Sequence, residues 1–213
     1  SSLLMEKTLG IARERELPTF RRETLRKWAR SRTPAVTRAD ADRRVLLLAD
    51  PYTNYTQPAV GKAAVRSLEA ADVFVEVSEV VTDSGRPAHS KGMVDVARET
   101  AERNVADLAP RVADGWDIVT VEPSDSVMYQ EDYLDLLSGE HAAAVAENSY
   151  SVMEYIDRFW LDDSLDASAD ATVAYHGHCH QTAASREHHA VGVLRRVGYD
   201  VDVIDTTCCG MAG

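Results

Sequence analysis

All three cysteines of this 213-residue chain lie towards its C-terminal end. Cys179 sits in Tyr175-His176-Gly177-His178-Cys179-His180-Gln181, and Cys208 and Cys209 are adjacent, followed by Gly210-Met211-Ala212-Gly213. Thiolates are soft donors, the ligands of iron–sulfur clusters and of zinc, so the two segments together point to a metal or iron–sulfur site. Neighbouring residues joined by a trans peptide have Cα atoms ~3.8 Å apart. A disulfide usually spans ~4.4–6.8 Å, so a bond between Cys208 and Cys209 would be strained. On an extended strand their side chains would point to opposite faces. Serving one site therefore requires a turn, which Gly210 permits. Adjacent thiolates reach different irons of one cluster more readily than they chelate a single ion, and this favours a cluster. Three cysteines also make a poor disulfide framework and suit a reducing cytoplasm.

Positioning these groups falls to an alternation of strands and helices. Arg44-Val45-Leu46-Leu47-Leu48-Ala49-Asp50 reads as a buried parallel strand. A helix over Pro58–Ala70 and a strand over Val73–Val77 follow. Then come a loop over Pro87–Ser90, a helix over Gly92–Val112 and a strand over Asp117–Val121. That strand ends in the turn Glu122-Pro123-Ser124-Asp125, with Glu122 expected as a cap or buried partner. Tyr129–Trp160 reads as helical, interrupted near Ser138-Gly139, and Leu161–Asp170 as an acidic loop. A strand over Thr172–Tyr175, a helix over Ser185–Val197 and a strand over Val201–Asp205 complete the pattern. His188 and His189 on that helix read as solvated.

The order predicts an α/β chain with a mostly parallel sheet, a Rossmann-like three-layer fold. Val45–Pro87 and Val173–Ala212 share one plan, as two related β-α-β units. The expected organisation is a helical connector arm and linker over residues 1–43, then an α/β domain over 44–213. Within it, the first repeat covers 44–128, a helical insert 129–170 and the second repeat 171–213. Consecutive parallel strands end on one edge, where open α/β folds place their ligands. Cys179 and Cys208 follow two such strands, so the three thiols are expected to converge there.

The formal charge of −12 argues against a nucleic-acid partner, because phosphate binding needs a basic face. Lysine occurs only at Lys7, Lys27, Lys62 and Lys91, while Arg, Asp and Glu are plentiful. That balance fits a halophilic protein and equally an ordinary acidic cytoplasmic one. No apolar run approaches the ~20 residues of a membrane-spanning helix, and no signal-peptide pattern is present. No Gly-x-Ser-x-Gly motif or nucleophile–base pairing suggests a hydrolase, and no catalytic residue is assigned. Ser1-Ser2 stands where a start Met would be, and the sequence stops within the Cys-Cys-Gly run. Both features lead to the expectation of a fragment of a larger redox protein.

Cys179, a long spacer and Cys208-Cys209-Gly210 resemble the cysteine-rich CCG domain. That domain occurs in heterodisulfide reductase, in iron–sulfur subunits of glycolate oxidase and anaerobic glycerol-3-phosphate dehydrogenase, and in lactate-utilisation proteins. The His-Cys-His and Cys-Cys-Gly-Met-Ala-Gly runs are most similar to fused FAD-linked oxidase/iron–sulfur proteins of the D-lactate dehydrogenase type. Leu9-Gly10-Ile11 through Pro18, Phe20 and Trp28 resembles the connector ahead of that region, and Gly85-Arg86-Pro87 and Glu122-Pro123-Ser124 also fit. The resemblance implies an electron-transfer module beside a flavin domain, passing electrons from flavin to a quinone or other carrier. Cys179, Cys208 and Cys209 would be ligands of the iron–sulfur cluster, with His176, His178, His180 and Gly210 around it.

FAD would belong to the parent protein, and the flavin-binding and ferredoxin-like domains would be the partners. Location would be the cytoplasm or the inner face of the membrane, with peripheral membrane association. Relatives carry cysteines where this chain has Asp83, Ser84 and Asp125, so the first repeat has lost its thiols. A [4Fe–4S] cluster takes four cysteines and three are present, so the cluster is expected to be incomplete or absent in this fragment. The alternative is a zinc-binding structural or docking domain built by Cys179, Cys208, Cys209 and a histidine.

Overall fold

The structure, a computed structural model, describes residues 2–14, 18–160, 169 and 171–204. Two helices come first, α1 (Ser2–Leu9) and α2 (Leu25–Ser31). α1 leaves Leu3, Leu4 and Leu9 exposed. α2 starts at Thr24, whose hydroxyl accepts from the Lys27 amide at 3.1 Å, an N-cap that satisfies one of the free amides of the first turn. It is packed rather than free: Leu25 is 0% exposed and Arg26 is buried. The Arg26 guanidinium donates to the carbonyls of Ser78 (2.7 Å), Ala49 (2.8 Å) and Val81 (3.1 Å). These bonds compensate the desolvation of a buried charge and tie α2 to the chain beyond the first two strands.

Those strands are β1 (Arg43–Leu48) and, after α3 (Pro51–Tyr55) and α4 (Pro58–Ala70), β2 (Val73–Val77). Proline at the first helical turn suits both helices, since its missing N–H would be unpaired there anyway. β1 and β2 are parallel, with Arg43 opposite Val73 and Leu47 opposite Val77. α5 (Arg86–Ser90) and α6 (Val94–Ala113) lead to β3 (Asp117–Thr120), parallel to β1 on its other side. Next come α7 (Pro123–Val127), a π-helical turn (Met128–Asp132), α8 (Tyr133–Leu136), α9 (Glu140–Glu147), β4 (Ser149–Ser151) and α10 (Val152–Phe159). β4 is parallel to β3, giving a four-stranded parallel sheet in the order β2-β1-β3-β4.

Alternate β1 residues face opposite layers. Leu46 and Leu48 join Ala101, Leu108, Ile118, Tyr133 and Val145, beneath α6, α8 and α9. Val45 and Leu47 join Leu25, Leu68, Val75, Val119 and Tyr155, beneath α2, α4 and α10. The sheet is thus covered on both faces, the Rossmann-like α/β arrangement expected from the alternation of elements. A second β-α-β unit comes last: β5 (Thr172–Tyr175), α11 (Cys179–Ala183), α12 (Glu187–Arg196) and β6 (Asp200–Val203). β5 and β6 are parallel, and the Ile204 amide donates to the Tyr175 carbonyl at 2.9 Å.

Three features depart from the sequence reading. Residues 86–90 form a short helix rather than a loop, entered through Gly85 at φ 85°, a conformation that favours glycine. Ser149–Ser151 is a strand inside a region read as helical; it is too short and polar to show a period, and its pairing with β3 defines it. β5 and β6 make a two-stranded sheet of their own rather than extending the first. Among the described residues, no helix is long and apolar enough to cross a membrane.

Leu25 anchors α2, so Leu25→Ala should destabilise the fold by about 2–5 kcal/mol, the range for emptying a buried leucine site. Urea unfolding would measure this. A change below about 0.5 kcal/mol would mean that α2 lies outside the cooperative unit.

Candidate functional site

All four strands of the first sheet run the same way, so their C-terminal ends form one rim. Asp50 leaves β1 there, the segment from Ser78 to Gly85 leaves β2, and Glu122 opens α7 after β3. β5 delivers His176, Gly177 and His178 into α11, and α11 packs against α7. The Cys179 segment therefore abuts the rim of the first sheet although β5 belongs to another.

Cys179 is the first residue of α11 and its free thiol is exposed. His178 caps the helix, its Nδ1 accepting from the His180 amide at 3.3 Å. The His178 Nε2 lies 3.6 Å from Glu122 Oε1, and the His178 and His180 rings stack with centroids 5.4 Å apart. Burial, helped by the charges of Arg86 and His178, lowers the His180 pKa, so the neutral imidazole is favoured. Its buried Nδ1 has no hydrogen-bond partner among the described residues. Arg86 donates to the Ser124 carbonyl at 3.1 Å and pairs with Asp132, stiffening the floor beneath α11. His176 is exposed just past the end of β5. Glu122 acts as the expected cap, accepting from the Ser124 amide at 3.2 Å.

A carboxylate that sees almost no water joins the second unit to the first, beside Val193 of α12, which shares the apolar cluster of β1 and α10. Glu154 on α10 is 1% exposed. It accepts from Gln130 at 2.7 Å, meets Arg158 at 2.7 Å, and accepts from Arg186, which precedes α12, at 2.9 Å. Arg186 also lies 3.4 Å from Glu131. His189 on α12 is buried rather than solvated, with Nδ1 2.7 Å from Asp157 and Nε2 3.8 Å from Glu154. Arg196 closes the seam on Asp157. Ser151-x-x-Glu154 has the form of a capping box, and the Ser151 hydroxyl does accept from the Glu154 amide at 3.2 Å. That signal marks where α10 begins but not where its carboxylate goes.

Elsewhere on the rim, after β2 and in α7, the polar side chains present oxygen atoms. The Ser84 hydroxyl donates to Asp125, while Asp83 accepts from the Gly85 amide at 2.9 Å. Their side chains thus make local bonds. Among the described residues no group of three or more His, Cys, Asp or Glu could hold a metal ion. Neither the Asp83/Asp125 pair nor Cys179 with its histidines completes a ligand set alone. Cys208, Cys209 and Gly210 lie outside the described residues, as does the expected meeting of the three thiols.

Three relatives decide the family. An anaerobic glycerol-3-phosphate dehydrogenase subunit of Escherichia coli (strain K12) is 26% identical over 219 residues, covering 99% of this chain and 53% of the relative. D-2-hydroxyglutarate dehydrogenase of the same strain is 28% identical over 179 residues, 80% of this chain and 17% of the relative. Lactate utilization protein A of Bacillus pumilus (strain SAFR-032) is 30% identical over 166 residues, 74% of this chain and 68% of the relative. The chain belongs to the FAD-linked oxidase/iron–sulfur family. It spans about half the length of the glycerol-3-phosphate dehydrogenase subunit that it matches. No family model matches the chain, and no solved structure does.

The Glu154 seam is one of the ties that place the Cys179 segment, beside the packing of α11 on α7. Glu154→Ala would leave the part-exposed Arg186 and Arg158 without their shared partner, at a cost of about 1–2 kcal/mol, because both guanidinium groups can turn to water. Hydrogen exchange should then quicken in residues 171–204 while β1 and β3 stay protected. Equal loss of protection in both units would refute a docking role for Glu154.

Proposed function

We propose that the chain is the electron-transfer region of an FAD-linked dehydrogenase acting on a 2-hydroxyacid of the D-lactate or glycolate type, or on glycerol 3-phosphate. What supports this reading is similarity running through 99% of the chain to a subunit named for anaerobic glycerol-3-phosphate dehydrogenase. Two further relatives are named for lactate utilization and for D-2-hydroxyglutarate dehydrogenase. In this reading electrons leave a flavin held by a partner domain and pass on to a quinone or other carrier, with a ferredoxin-like domain as a further partner. The working division is a connector over residues 1–43 and a CCG-type domain over 44–213. The working location is the cytoplasm or the inner membrane face.

Cys179, Cys208 and Cys209 would hold an iron–sulfur cluster, which supplies one-electron chemistry when bound. The surrounding residues have separate tasks. His178 fixes the start of α11 and so the base of the Cys179 side chain. His180, favoured as the neutral ring, adds a dipole rather than a charge beside that thiol. Arg86 and the Glu154 seam hold the two units in one orientation, so the distance for electron transfer stays constant. Gly210 would let the chain turn so that both neighbouring thiols serve one site.

Anaerobic reconstitution with ferrous iron and sulfide tests the assignment. With three cysteines in the sequence, uptake is expected to be labile and below one full [4Fe–4S] cluster per chain, and Cys179→Ser should abolish it. Iron uptake equal in wild type and Cys179→Ser would refute a ligand role for Cys179. Zinc retained through purification with no iron or sulfide would point to a tetrahedral structural site.

A further inference from the structure

The Ser84–Asp125 pair joins the segment after β2 to α7, the helix on which α11 packs, and its chemistry is argued without the electron-transfer reading. Ser84 lies in the chain between β2 and α5, and Asp125 lies in α7. Both are buried, at 2% and 9% exposure. The Ser84 hydroxyl gives its one proton to Asp125 Oδ1 and accepts from the Arg86 amide at 3.1 Å. The Ser84 carbonyl accepts from the Tyr133 hydroxyl at 2.9 Å, and that hydroxyl accepts from Asn104 at 2.8 Å. The serine is therefore fixed on three sides, with Asp125 as the outlet for its hydroxyl proton.

Acids crowd this pair, while the nearby cations are committed elsewhere. Asp50, Asp83 and Glu122 each place negative charge near Asp125. Asp50 is 8% exposed, and while its Oδ1 accepts from the Thr53 amide, its buried Oδ2 has no hydrogen-bond partner among the described residues. Arg26 turns its guanidinium to three backbone carbonyls. Arg86 is engaged with Asp132 and the Ser124 carbonyl, beside His89. From α11, His178 faces Glu122 and His180 lies in the field of Arg86 and Asp132. Tyr129 and Tyr133 pack behind, both pushed up by burial and hence neutral.

We propose that Asp125 is a proton-binding site of the native chain, held as the neutral acid beside Ser84, so that the folded chain loses stability as this proton is lost. Burial is the first reason the carboxyl resists ionisation; the Ser84 bond opposes it, and the charges of Asp50, Glu122 and Asp83 add to it, leaving the group at about 7. An unfolded aspartate titrates near ~4. Between those values the native chain binds more protons than the unfolded one. This contribution to stability is complete below about pH 4, falls as pH rises towards 7, and is level above that.

Carboxyl carbon NMR on the isotopically labelled chain reads the site directly, with the resonance assigned by its absence from Asp125→Asn. A midpoint near 7 is expected; a midpoint below about 5 would overturn the proposal. The urea midpoint of wild type should fall between pH 5.5 and 7, by at most about ten-fold in the folding constant per pH unit, the limit for one proton. Asp125→Asn should lose that component, and an unchanged slope would count against the site. Should Asp125→Asn not fold, Ser84→Ala gives the second reading. Removing the donor to the ionised form should raise one carboxyl midpoint above its wild-type value, and no upward shift would overturn the proposal.

Discussion

A carboxylate withdrawn from water must find its counter-charges inside the protein, and Glu154 finds them across the seam between two β-α-β units. Gln130 and Arg158 belong to the first unit and its insert, while Arg186 and His189 belong to the second. Removing one side of such a pair strands the other, so the seam resists separation more than a set of surface ion pairs would. The second unit needs this support. A two-stranded sheet is marginal alone, and β5 alternates exposed and half-buried residues instead of filling a core. Where Cys179 stands relative to the first sheet is therefore set by polar contacts in the seam as much as by strand pairing.

The first unit relies on different physics. Its strands bury both faces, and the apolar residues of β1 divide evenly between two helical layers. Burying the sheet on both sides leaves its C-terminal rim as the place where polar groups collect. Arg26 from α2 occupies one part of that rim by bonding to three carbonyls, and the Ser84–Asp125 pair occupies another. The Ser84–Asp125 pair meets its hydrogen-bonding needs locally, Ser84 donating to Asp125 and accepting from the Arg86 amide. The first unit consequently serves as a platform on which α11 rests, through α7, Arg86 and Glu122.

Much of this was legible in the sequence where one element answers to one local signal. The apolar run of β1, the helix from Pro58 to Ala70 and the strand Val73–Val77 appear as read. Glu122 caps a helix as its place before Pro123 suggested. Features that depend on distant partners were not legible. Ser149–Ser151 becomes a strand only because β3 offers an edge. His189 is buried only because Asp157, on another helix, receives it. Nothing near Asp125 in the sequence announces that Asp50, Asp83 and Glu122 surround it, since they come from the ends of different strands. The site residues divide in the same way: His178, Cys179 and His180 lie together at the rim, and Cys208 and Cys209 lie outside the described residues.

The proposed function makes one structural claim, that Cys179 shares an iron-containing site with Cys208 and Cys209. Anomalous diffraction at the iron edge from anaerobically grown crystals tests it most directly. The expected result is an iron peak within bonding distance of the Cys179 Sγ and of at least one sulfur of the Cys208–Cys209 pair. An iron peak that touches only the pair, or a zinc peak in its place, would contradict it.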